Sequence, residues 1–202
     1  MKPYQYPGTT TIYPDTDFGY NKFMNIGIKA TSSEYICLCN NDLLFYKNWA
    51  SEILGVFEKQ KEIDSANPLC PSFEYDQKIN DGPNIIIRNQ NLGINGILTG
   101  WCIFMRRSLI KKIGLLDERF TFWYADNDYD MTLRKYRVKH ALIKTSLVEH
   151  LIAQSHDLLA GKKTEQTSGQ YAVFHNKWYS SKVVNAKRKL LEKLWGYKKQ
   201  TL

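Results

Sequence analysis

A chain of 202 residues, 43% of them apolar, suffices for one compact domain with a small appendage. No stretch approaches the roughly 18 uninterrupted apolar residues of a membrane span, and the first residues lack the apolar core of a signal peptide, so the expectation is a cytoplasmic protein. The net charge of +8 is concentrated near the end, where Lys177, Lys182, Lys187, Arg188, Lys189, Lys193, Lys198 and Lys199 face only Glu192; without a recognisable nucleic-acid module this charge argues weakly for RNA or DNA.

In chain order, residues 1–17 are rich in Pro, Thr and Tyr, with Thr9 to Tyr13 as the one strand-like stretch. From 20 to 31, Phe23, Ile26 and Ala30 share a helical face. Glu34 to Cys39 reads as a buried strand, so Asp42, closing Asn40-Asn41-Asp42, emerges at its C-terminal edge, where open α/β sheets bind ligands. A plain Asn-Asp turn is the competing reading. Asn48 can cap a helix whose apolar stripe is Trp49, Ile53, Leu54, Val56 and Phe57, ending near Lys61. Between 64 and 97 the Pro, Asn, Asp and Gly content predicts loops and short hairpins, with Ile85 to Ile87 as a brief strand. A strand at Cys102 to Met105, a short helix from Ser108 to Gly114, a helix from near Asp128 and a strand at Ala141 to Lys144 follow. The alternation of element types predicts an α/β fold.

Cys37, Cys39, Cys70 and Cys102 show no CxxC spacing, and three lie in apolar runs; reduced, buried thiols are expected rather than zinc ligands or disulfides. A second acidic cluster, Asp126-Asn127-Asp128, follows the aromatic run Phe120 to Tyr124. Phe120, Phe122 and Tyr124 read as core positions on an alternating strand, whereas Trp101 and Trp123 offer flat apolar faces to a ligand. Asp128 reads as a helix N-cap or first-turn acid, at equal weight with a ligand-binding role. From 182 to 197, Val183, Val184, Leu190, Leu191, Leu194 and Trp195 alternate with the basic residues at helical spacing, a basic amphipathic helix suited to docking on the domain or to an anionic membrane surface.

The order of these landmarks resembles the inverting family-2 glycosyltransferases of GT-A fold, especially their rhamnosyl- and galactofuranosyl-transferase-like branch. The similarity rests on Phe18-Gly19-Tyr20 leading to Asn25-Ile26-Gly27, on Glu34-Tyr35-Ile36, and on Asn40-Asn41-Asp42 in the place of an Asp-x-Asp motif. It continues through Thr99-Gly100-Trp101, Arg106-Arg107, Ile113-Gly114, Asp117-Glu118-Arg119-Phe120, Asp126-x-Asp128, Val148-x-His150, Tyr171 and Lys177-Trp178.

The resemblance implies a GT-A-like mixed sheet flanked by helices over 1–165, shortened at its N-terminus, with a helical, basic extension over 166–202. It implies transfer of a sugar from a nucleotide-sugar donor to a glycan, glycolipid or glycoprotein hydroxyl. Asp126 would be the catalytic base, and Asp42 with His150 would hold Mn²⁺ or Mg²⁺, hard ions suited to oxygen and imidazole ligands. Asn25, Asn40, Asn41, Gly100, Trp101, Trp123 and Asp128 would line the donor and acceptor sites. His140, His156 and His175 are left as structural. Asn40 stands where the family has its first Asp, and Ala125 where it has an acid beside the base.

About forty residues precede the metal motif, room for one strand and one helix, where the family has a βαβ unit for the nucleotide base. The expectation is therefore a minimal transferase, a chain completed by another polypeptide, or a non-catalytic carbohydrate- or partner-binding relative.

Overall fold

The alternation Tyr35-Ile36-Cys37-Leu38-Cys39 turns Ile36 and Leu38 to one side of a sheet and the other three residues to the opposite side. The computed structural model describes residues 7–88, 97–151 and 163–180, and in it this segment is β1 (Tyr35–Cys39), preceded by α1 (Tyr20–Ala30). Then come β2 (Leu43–Phe45), α2 (Trp49–Lys59), β3 (Ile63–Leu69), α3 (Gln77–Asn80) and β4 (Ile85–Ile87). The chain continues with β5 (Cys102–Arg106), α4 (Arg107–Ile113), α5 (Ala125–Lys135), β6 (Lys139–His150) and α6 (Lys163–Tyr179).

The strands form one mixed sheet in the order β1-β5-β3-β6-β2, with β4 also paired to β6. Only β3 and β6 run parallel; β1–β5, β3–β5, β4–β6 and β2–β6 are antiparallel. Strand β6 is long enough to serve two neighbourhoods, pairing Ala141 to Ile143 with β4 and Val148 to His150 with β2. One face, with Ile36, Leu38, Ile103 and Met105, packs on Ile28 of α1, Leu109 of α4, and Tyr129 and Leu133 of α5. The other, with Ile63, Ala66, Phe104, Ala141 and Ile143, packs on Ile53, Val56 and Phe57 of α2. Each Ile, Leu, Phe, Val or Met side chain so taken out of water contributes about 1.5–3 kcal/mol, so both layers hold the sheet that carries the site.

The mixed α/β architecture agrees with the expectation, but four local expectations do not. Thr9 to Tyr13 is not a strand. The stretch from Asp64 to Leu69, expected as loop, belongs to the central strand β3, because its polar residues are buried with partners rather than solvated. Ser65 Oγ lies 2.8 Å from the Tyr129 hydroxyl and 2.9 Å from His140 Nδ1. Asn67, fully buried, donates through Nδ2 to the carbonyls of Thr99 (2.9 Å) and Cys102 and accepts from the Thr99 N–H (3.2 Å). The stretch around Phe120 to Tyr124 is not a strand: Phe120 is core, and Phe122 is exposed. Helix α5 begins at Ala125, earlier than expected, so Asp128 is a first-turn residue and not the cap. Helix α6 brings Phe174 against Phe120 and Tyr124, where it is buried. The basic segment 182–197 and His156 lie outside the described residues.

Candidate active site

The turn after β1 and the short strand β2 bring Asp42 to the end of β6. Leu43 pairs with His150, and the Leu151 N–H donates to the Asp42 carbonyl at 2.9 Å. His150 Nε2 lies 3.4 Å from Asp42 Oδ1. That oxygen is buried and accepts no hydrogen bond, which for a carboxylate is costly unless a positive charge stands beside it. A carboxylate oxygen and an imidazole nitrogen that converge, the oxygen otherwise unsatisfied, suit a hard or borderline divalent cation with open positions for phosphate oxygens.

The imidazole is held by stacking on Trp101, ring centroids 5.6 Å apart and planes 12° apart. Trp101 is 8% exposed, so its large face is spent on His150 and the surrounding core. The Asn40 N–H donates to the Trp101 carbonyl at 2.9 Å, tying the end of β1 to the turn before β5. The Asn40 side chain is half-buried and Asn41 is exposed.

Gly100, next to Trp101, connects this region to Asp126. A Cβ on Gly100 would lie 3.1 Å from the Asp126 Cβ and 3.4 Å from Oδ2. Asp126 is in the first turn of α5, and its Oδ1 accepts from the Asn127 N–H at 2.9 Å. Burial raises its proton affinity; backbone N–H groups, including that of Gly100, pull the other way without cancelling the rise. A carboxyl group so displaced toward neutrality suits a general base. The turn delivering it is strained: Tyr124, just before α5, has φ 60°, a left-handed conformation costly for a bulky residue. Its ring is gripped by α6, with centroids 5.3 Å from Phe174 and 5.8 Å from Tyr171.

Asp42, His150, Trp101, Gly100 and Asp126 thus form a continuous run, with Asn40 bonded into it. Three other expected site residues are placed differently. Asn25 is 1% exposed and clamps α1 to the chain after α4: Nδ2 donates to the Leu116 carbonyl (2.8 Å) and Glu118 (3.0 Å), and Oδ1 accepts from the Leu116 N–H. Asp128 is 4% exposed and accepts from Lys177 Nζ (2.9 Å) and Trp178 Nε1 (2.7 Å), docking α6. Trp123 is half-buried, edge-on to Phe122.

Two residues beside the site escaped the sequence reading. Tyr20 donates its hydroxyl to the Gly100 carbonyl at 2.7 Å, and burial keeps that hydroxyl protonated. Asn67 holds both ends of the turn containing Gly100 and Trp101. Tyr20 stood within the quoted Gly-Tyr-Asn segment and could have been found there; Asn67 carried no local signal.

The family model for glycosyl transferase family 2 matches residues 1–114. No curated protein matches the chain. Among solved structures, the catalytic domain of Drosophila β1,4-galactosyltransferase 7, in complex with xylobiose, is similar at 14% identity and a TM-score of 0.46, covering 68% of this chain. The chain spans about half of that structure, 53% of its length.

Proposed function

Since the chain belongs to glycosyl transferase family 2, we propose that it is a metal-dependent inverting glycosyltransferase that moves a sugar from a nucleotide-sugar donor to a hydroxyl of a glycan, glycolipid or glycoprotein. The observation that carries the metal-dependent reading is the buried, unsatisfied Asp42 Oδ1 facing His150 Nε2. Those two residues would hold Mn²⁺ or Mg²⁺, which as a Lewis acid neutralises charge on a departing pyrophosphate. Trp101 fixes the imidazole plane. Asp126 takes the proton of the acceptor hydroxyl as its oxygen bonds to the anomeric carbon; the bond from that carbon to the donor phosphate breaks on the opposite face, which inverts the centre. Asn40, Asn41 and Gly100 are the remaining donor and acceptor contacts in this reading. The basic segment 182–197 is the proposed contact with an anionic membrane surface, and among the described residues no helix is long and apolar enough to cross a membrane.

The test is calorimetric titration of UDP, GDP and dTDP with and without Mn²⁺. The wild type should bind one of them in a Mn²⁺-dependent manner, and Asp42→Ala should abolish that dependence. Asp126→Asn should keep binding and lose about 10²–10⁴ in transfer rate. Absence of nucleotide binding in every condition, or undiminished transfer by Asp126→Asn, would overturn the reading.

A further inference from the structure

Beside the turns that carry Asn40 and Trp101, three of the four cysteines converge. Residues two apart in β1 share a face, which puts Cys37 and Cys39 together, and the antiparallel register sets Cys39 opposite Cys102 of β5. Their sulfurs lie 3.2 Å (Cys37–Cys39), 3.7 Å (Cys37–Cys102) and 3.8 Å (Cys39–Cys102) apart, and all three thiols are free. Cys70 stands outside the group, its sulfur directed to Ser72 and Glu149.

We propose that Cys37, Cys39 and Cys102 form a binding site for a thiophilic d¹⁰ cation, Zn²⁺ in the first instance, separate from the Asp42–His150 pair. Tetrahedral zinc with bonds of about 2.3 Å to sulfur requires sulfur–sulfur edges of about 3.8 Å. Two of the three edges already have that length, and a small side-chain rotation at Cys37 or Cys39 widens the third. The three sulfurs form one face of the tetrahedron, leaving the fourth position for water or a small solute ligand. Softness separates the two sites: thiolates select zinc or copper(I), whereas carboxylate oxygen selects magnesium or manganese.

The charge balance is simple. Each thiol releases its proton to solvent as its bond to the metal forms, and no electron is transferred.

The ion would cross-link β1 to β5 one residue before Asn40 and one residue after Trp101, the two residues already joined by a backbone hydrogen bond. It would act as a rivet beneath the candidate active site, so its effect is on thermal stability as well as on binding.

The experiment is titration of the reduced chain with Zn²⁺ against a chromophoric chelator, with Cd²⁺ substituted to follow thiolate-to-metal charge-transfer absorption. The wild type should take up one equivalent with that absorption, gain in melting temperature, and protect three of its four thiols from a thiol reagent. Cys70→Ser and Asp42→Ala should each retain all three readouts. Cys39→Ser, checked for native circular dichroism, and Cys102→Ser should each lose the charge-transfer band and the gain in melting temperature. Uptake that persists in Cys39→Ser, uptake that is lost in Asp42→Ala, or equal reactivity of all four thiols in the presence of zinc would overturn the proposal.

Discussion

At Gly100 a single methyl group decides whether the turn can lie against Asp126. An alanine there would place its Cβ 3.1 Å from the Asp126 Cβ, so either the turn or the first residues of α5 must move by a few tenths of an ångström. Displacement of a catalytic group by about 1 Å costs on the order of 10² in rate. Gly100→Ala is therefore expected to lose about tenfold in kcat while keeping nucleotide affinity, measured by steady-state kinetics beside calorimetry; unchanged kcat would separate Gly100 from catalysis. The Asp126 carboxyl sets a second expectation. Because burial raises its ionisation above the ordinary 3.8, the acid limb of kcat/KM should lie above that value and vanish in Asp126→Asn, in a pH–rate profile. The sequence identified Asp126 by its place in a series of landmarks but could not report its burial, which depends on Gly100 from a distant part of the chain.

Among the elements, β3 shows most clearly where sequence reading stops. β1 was legible because its five residues, Tyr35 to Cys39, form an unbroken apolar, β-prone run. β3 carries Asp64, Ser65, Asn67 and Pro68, and its polar groups are satisfied by residues remote in sequence, Tyr129, His140 and the turn from Thr99 to Cys102. The Pro68/Leu69 register shift in its pairing with β6 accommodates the proline. β2, at three residues, is too short for any periodic signal, yet it sets the register that brings Asp42 to His150. Asn67→Ala would remove the acceptor of the Thr99 N–H and a donor to two carbonyls, a destabilisation of about 1–3 kcal/mol in urea unfolding. It should also weaken nucleotide binding through the loosened Trp101; wild-type stability would show that the turn is held elsewhere.

The whole molecule carries a pH dependence through His140. Its imidazole is fully buried, and burial followed by the nearby Arg88 charge lowers its ionisation from 6.5 to about 3. The folded state therefore keeps it neutral where the unfolded chain already binds a proton. Below about pH 6.5 this group should remove about 1.4 kcal/mol of stability per pH unit, the loss continuing until the folded imidazole titrates. In His140→Gln the fall of unfolding free energy between about pH 6 and pH 4 should be shallower by that slope, measured by denaturant unfolding across pH; parallel curves would mean that His140 does not titrate between the two states. The α/β class was legible at this scale because element periodicities are sequence properties. The roles of Asn25 and Asp128 as clamps were not, since both are fixed by partners tens of residues away, at Leu116 and Glu118 and at Lys177 and Trp178.

The grip of α6 on Tyr124 gives the molecule two independently supported ends. Asp42 and His150 depend on β2 and β6, whereas the left-handed turn before Asp126 is braced by Phe174 and Tyr171. Under the proposed function, damage to α6 is expected to impair deprotonation of an acceptor more than capture of a donor.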